Sequence, residues 1–283
     1  ISGIDVGLLV RRSVTVKSVT PLGAAENFSG DNSKLHDRPP LLLQAKLTDS
    51  SEVSVLAVHL RLLNGIDDAN DGPRVRQKRH EQAVSVANMV QTLQTSNPNI
   101  RLVVAGDFNA FQFTDGYVHV LGQIMGTPAT ANQALIPGTD VVNPDLTNAV
   151  LALPENERYS FVFQGSAQAL DHILVSQKMQ PFVSGIQYAR ANADAMESFE
   201  SDASSPLRTS DHDGLVLFVK RAPPNDVVSA PLSVSSYQLA QNYPNPVSYA
   251  AQNPKTAISF QLPTNSKVTL AIYSITGQFV REL

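Results

Sequence analysis

The chain contains no cysteine among its 283 residues. That excludes a disulfide framework, thiolate chemistry and cysteine-rich zinc sites, and it is compatible with export without requiring it. No stretch approaches the ~18 consecutive apolar residues that a membrane-spanning helix needs. An excess of one charge is missing too. With 21 Lys and Arg against 25 Asp and Glu, the formal net charge is −4, so any binding of a polyanion must be local. The start, Ile1-Ser2-Gly3-Ile4-Asp5, has neither an initiator Met nor a charged stretch followed by an apolar one. A strand-like segment begins near Gly3, and Val280–Leu283 follow directly on another, so both ends are expected to be cut edges.

What is present is an ordinary globular composition, 42% apolar and 16% charged. The length favours one large domain with a smaller one. Residues 4–20 alternate like two strands joined near Arg11-Arg12, and 21–40 read as a loop. Leu41–Leu47 and Val53–Leu60 read as a hairpin around Asp49-Ser50-Ser51. Three- and four-residue apolar steps predict a helix from about Arg74 to Thr95, stopped by Asn97-Pro98-Asn99. Ile100–Ala105 is a nearly continuous apolar run, the pattern of a strand buried on both faces. A shorter helix is expected around Asp115–Met125 and irregular chain over 126–157. Strands follow at Tyr159–Phe163, Ala169–Val175 and Leu215–Lys220. The composition then breaks. Residues 222–236 form a Pro- and Ser-containing linker, and 237–283 alternate between short strand patterns and Pro or Gly turns, a small β-sandwich.

Four polar motifs stand at the ends of probable strands: His59, Gly106-Asp107-Phe108-Asn109, Leu170-Asp171-His172 and Ser210-Asp211-His212. Strand ends at a sheet rim are where a rigid scaffold can hold charged side chains together. Carboxylates, an amide and imidazoles meeting there would make a divalent-cation and phosphate site. Each motif also has a bland reading. Asp and Asn favour turns, Asp171 could be a rim carboxylate and His59 a hydrogen-bonded core histidine. Adjacent strand residues point to opposite faces, so Asp171 and His172 are not both expected to face inward.

The order and wording of these motifs, Val-Val-Ala-Gly-Asp-Phe-Asn-Ala-Phe above all, resemble the endonuclease/exonuclease/phosphatase superfamily. That resemblance implies an α/β (α+β) fold, a two-layer β-sandwich flanked by helices of the deoxyribonuclease I type, over residues 1–221. It implies water attack on a phosphoric ester. Asp107 aligns or deprotonates the water, Asn109 holds it or the phosphate, His212 is the essential imidazole and Asp171 orients it. His59 is a second phosphate-facing imidazole. Asp211 with Asp107 would hold Mg²⁺, or Mn²⁺ or Ca²⁺. The family's main metal-binding Glu and a nearby Asn have no counterpart here. Glu26 falls in a loop and Glu52 starts a later strand. The stretch as it stands is therefore expected to be inactive.

His59-Leu60-Arg61, Asn64–Asp68 and Arg74-Val75-Arg76 resemble a secreted branch of the superfamily. Arg61, Arg74 and Arg76, with Lys78 and Arg79, could form a basic face for substrate, or simply a solvated helix face. The Asp67–Asp71 loop lacks calcium-loop spacing and reads as a turn. Gln241-Asn242-Tyr243-Pro244-Asn245-Pro246 resembles the type A sorting domain of the type IX secretion system, with Val247 in place of the usual Phe. That implies contact with the type IX secretion machinery, passage across the outer membrane, and a secreted or cell-surface location. Three functions remain open: an extracellular nuclease on DNA or RNA, a phosphatase or phospholipase-type phosphodiesterase, and a non-catalytic surface binding protein.

Overall fold

Alternation along Leu102–Asp107 organises the first part of the molecule. Leu102 and Val104 are fully buried on one side, while Val103 packs on the other with Ile173 and Val175. A computed structural model describes residues 5–220, 238–239, 258, 260–261, 268–273 and 278–282. The chain divides into two compact units, Ile1–Ala222 and Pro223–Leu283.

The first unit is built on a six-stranded sheet. Its strands in chain order are β1 (Thr15–Pro21), β2 (Leu41–Lys46), β3 (Glu52–His59), β4 (Leu102–Asp107), β5 (Thr147–Asn148) and β8 (Asp171–Val175). The spatial order is β1-β2-β3-β4-β8-β5. β3 and β4 are parallel, as a crossover through an intervening helix requires, and the other pairs are antiparallel. The crossover is helix α1 (Gly72–Ser96), whose buried Val75, Ala83, Val86, Ala87 and Val90 keep the helical steps read from the sequence. It starts at Gly72 rather than Arg74 because Pro73 occupies the first turn, where its missing N–H costs nothing. It ends at Asn97, whose extended backbone donates its N–H to Leu93 O.

α1 packs on the face carrying Leu56, Val58, Leu102 and Val104. The opposite face, with Val53, Val55, Val103, Ala105 and Ile173, packs against Ile186, Tyr188, Leu215 and Leu217. Those come from a two-stranded antiparallel sheet of β9 (Val183–Ala189) and β10 (Gly214–Val219). The first unit is thus a mixed α/β sandwich with unequal layers. The small hairpin β6 (Phe161–Phe163) and β7 (Ser166–Gln168) stands as a separate pair.

Several expectations need correction. Only one strand, β1, forms between residues 5 and 20, because the Gly7–Val10 segment finds no partner and Leu9 is wholly exposed. The second helix, α2 (Val120–Met125), is half the expected length. Asp115 Oδ1 instead accepts the N–H groups of Tyr117 and Val118, an Asx turn that takes up the first half. The sequence reading missed β9 altogether.

Among the described residues of the second unit, β11 (Gln238–Leu239) pairs with β12 (Phe260–Gln261), and β13 (Ala271–Tyr273) with β14 (Phe279–Glu282). The Gln241–Pro246 string lies outside the described residues, as does the 222–236 linker.

Candidate active site

Register brings the motifs together. In the parallel pair β3–β4, His59 lies beside Asp107; in the antiparallel pair β4–β8, Asp107 lies beside Asp171. Three neighbouring strands thus end in one row, His59–Asp107–Asp171. All three residues have the parity of Val55, Val103 and Ile173, so they share the face covered by β9 and β10. His212, two residues before β10, closes the row from the covering layer. Its Nδ1 donates to Asp171 Oδ2 at 2.6 Å. His172 has the opposite parity. It is fully buried toward the helical side, where Nε2 donates to the carbonyls of Ala110 and Ala169 and Nδ1 accepts from Asn148 Nδ2.

The turn after β4 is built around close approach. Gly106 has φ 141°, and a Cβ there would lie 2.0 Å from the carbonyl oxygen of Val58 on β3. Gly106→Ala is expected to destabilise the fold by more than about 3 kcal/mol, combining backbone strain with overpacking. A urea midpoint within error of the parent would contradict this. Asn109 takes a left-handed backbone, φ 48°. Its N–H and Nδ2 grip the two Asp107 oxygens at 2.8 and 2.9 Å, and Nδ2 also donates to Leu60 O. Both amide hydrogens of Asn109 are used, which leaves its Oδ1 as the acceptor for a ligand.

Charge is concentrated here. Ligand atoms of Asp107, Asp171 and His212 all lie within 4.8 Å of one another. Burial pushes Asp107 up from 3.8 to about 6, the neighbouring Asp171 charge adds to this and Asp211 contributes least, against the pull of His212 and the Asn109 N–H. Burial pulls the His212 imidazole down, but the hydrogen bond and charge of Asp171, with Asp107 and Asp211, outweigh it and raise its pKa. His59, whose Nε2 lies 3.5 Å from Asp107 Oδ2, is held low by burial and then by the charges of Arg38 and His212. Asp211, expected as a metal carboxylate, is exposed and stands outside the three-residue group.

The Asp107 proton is bound more tightly in the folded, metal-free protein than in the unfolded chain. Its stabilising contribution is therefore fully present below about pH 3.8 and lost as pH rises through about 6. Carboxyl-carbon NMR should find the midpoint near 6 and see it fall when Mg²⁺ is added. A midpoint in the ordinary aspartate range of ~4 would refute the crowding of charge described here.

Of the five basic residues expected on one face, only Arg74 is exposed. Arg74 is paired with Asp31 at 2.8 and 2.5 Å, and Arg76 donates to Ile66 O and lies over the Tyr117 ring. Lys78 is buried and pairs with Asp37. Arg61 is half-buried with a shielded Nε. A helix face seen only as sequence does not reveal that loops 23–38 and 61–71 fold over it.

Arg79 became something else. Its fully buried guanidinium donates to the carbonyls of Arg61 and Asn109 and pairs with Asp115 at 3.3 Å. One cation thereby ties the chain after His59 to the turn after Asp107. Sequence reasoning also missed the supports of His212. Buried Asp213 accepts from the N–H groups of Ala191, Asn192 and Ala193 and from Arg190, and Asn192 Nδ2 donates to His212 O. Ser160 Oγ accepts from the Leu170 and Asp171 N–H groups, and Tyr188 Oη donates to Asp171 O. The second acid of Ser210-Asp211-His212-Asp213 was the one available signal. Glu26 accepts from Ser85 Oγ at 2.6 Å, and Glu52 pairs with Lys17 at the far end of β3, roughly 23 Å along the strand from His59.

Solved structures with a similar course of chain include truncated Caenorhabditis elegans TDP2, with a TM-score of 0.45 and 14% identity over 74% of this chain and 69% of that one. Two further structures of the nematode protein are spanned over only 52% and 53% of their length. A 3′-5′ exonuclease of Neisseria meningitidis gives 0.42 and 14%, over 73% and 72% of the two chains. A Bacteroides thetaiotaomicron mannosyl-6-phosphatase gives 0.44 and 15%, over 73% and 67%. No family profile and no curated protein matches the chain. Likeness at this level assigns no activity, so the functional reading stands on the side chains themselves.

Proposed function

We propose that the protein is a divalent-metal-dependent phosphoric-ester hydrolase, most simply a nuclease acting on extracellular DNA or RNA. The observation that carries this reading is the His59–Asp107–Asp171 row closed by the 2.6 Å bond between Asp171 and His212. Two carboxylates crowded enough to hold a proton on one of them form an oxygen-rich donor set that fits Mg²⁺ or Mn²⁺. Asp107 and Asp171 would hold the ion, which supplies Lewis-acid polarisation of a phosphate oxygen.

The chain's own groups divide the remaining work. With Nδ1–H given to Asp171, the His212 tautomer is fixed and Nε2 is the atom that accepts or returns a proton. Asp107 aligns the attacking water, held in place by both Asn109 donors. His59, kept neutral by burial and nearby cations, donates a hydrogen bond to a phosphate oxygen without adding charge. The secretory reading rests on the Gln241–Pro246 string, and we propose that residues 237–283 engage the type IX secretion machinery and bring the protein outside the cell.

The product of the complete reading frame, supplied with Mg²⁺ or Mn²⁺, would be assayed against plasmid DNA, RNA, a sugar phosphate and a phospholipid. Metal-dependent DNA or RNA cleavage supports the nuclease. Turnover of the other esters alone retires it in favour of the phosphatase or phospholipase reading. A folded protein inert with every metal and substrate points to a surface binding protein. In the native host, deleting residues 237–283 should trap the protein inside the cell; unchanged export would end the sorting proposal.

A further inference from the structure

The His212 imidazole is the first ring of a short column. Phe161 lies against it, with centroids 4.8 Å apart and planes 30° apart. Phe163 continues the column at 6.3 Å and 17°. The two phenylalanines are two residues apart on β6 and so share one face of the hairpin. The hairpin closes through Gln164 and Gly165, both with positive φ, which fixes the ring pair on a tight turn. Phe161 is half-buried and Phe163 is 52% exposed, so the column runs from the reactive imidazole to solvent. A second pair of the same build follows the other motif. Phe111, two residues after Asn109, stacks on Phe113 at 5.4 Å and 19°, and Phe113 is 58% exposed. Rings this open add little to the core, yet each pair is attached to a catalytic turn.

An exposed aromatic face beside a phosphate site suits a flat π-system. Acyl chains are gripped by enclosed apolar grooves; Phe163 offers an open ring instead. The charges point the same way. Arg74 is paired with Asp31, Lys78 is buried on Asp37 and the net charge is −4, so these two cations add little to a grip on duplex phosphates. We propose that the Phe161–Phe163 face of the β6–β7 hairpin is a stacking platform for an unpaired nucleobase next to the scissile phosphate. The substrate class is then single-stranded or frayed nucleic acid. This rests on the hydrolase reading above and deepens it. One base on one aromatic side chain corresponds to roughly a tenfold gain in affinity, with little preference for sequence.

The test uses the complete protein with Mg²⁺ and a short oligonucleotide whose linkage beside a 2-aminopurine is a non-hydrolysable methylene phosphonate. Binding should quench the reporter. The same oligonucleotide with a base-free spacer at that position should bind about tenfold more weakly. Phe163→Ala and Phe163→Leu, both at an exposed position, should abolish that difference, since neither side chain has a π-face. Equal affinity of the parent protein for the two oligonucleotides would overturn the platform, as would a difference that survives both variants. Preferential turnover of a sugar phosphate or phospholipid, with the oligonucleotide unbound, would overturn it while sparing the hydrolase. Reporter quenching without hydrolysis of any ester would support the platform and sink the hydrolase instead.

Discussion

Replacing His212 by Ala is expected to lower turnover of the complete gene product by about 10²-fold or more while leaving the fold intact. The side chain is only partly buried and its backbone is held by other groups, the Asn192 amide and the Ser210 hydroxyl, so its removal leaves no cavity in the core. What is lost is the one imidazole whose tautomer is set by a carboxylate. Asp171→Asn supplies the finer test. Burial lowers the His212 pKa, and Asp171 is first among the groups that raise it. Because Asp171 is also placed on the ion, the effect is read in the metal-free protein, where the NMR titration of the His212 imidazole should move to lower pH. Steady-state rates for the first variant and that titration for the second, with circular dichroism as the check on folding, decide the matter. A His212→Ala enzyme within a few-fold of the parent would refute the assignment.

Arg79→Ala should cost about 3–5 kcal/mol of stability, the range found when one partner of a buried ion pair is removed. The substitution leaves the Asp115 carboxylate with only its two backbone donors and frees the carbonyls of Arg61 and Asn109. Arg79→Lys should restore only part of this, because a single ammonium cannot reproduce a planar fork directed at three acceptors. Urea unfolding of the three proteins measures both effects. A loss below about 1 kcal/mol for the alanine variant would show that the two turns are held by their own hydrogen bonds and not by the guanidinium.

The periodicities and punctuation of the chain were enough to locate α1, the β2–β3 hairpin and the doubly buried β4, because each rests on local patterning of apolar residues. The same local reading placed His59, Asp107 and Asp171 at strand ends and predicted that His172 would face away. It failed where a side chain capped its own neighbours or a partner distant in sequence took control. The Asp115 side chain displaced the first half of a helix. Gly7–Val10 stayed unpaired for want of a neighbouring strand. Lys78 and Arg79, written as a solvent-facing stripe, were covered by loops from both sides.

Sequence by itself determined which side chains were chemically able to form a site and that each would stand at a sheet rim, since strand parity and Gly or Asp turns are local properties. Only the tertiary structure decided that they form one row: register fixes His59 beside Asp107 and Asp107 beside Asp171, and the β9–β10 layer delivers His212 onto Asp171. Register and layer packing depend on hydrogen bonds and contacts between segments 40 to 150 residues apart, roughly, which no local pattern encodes.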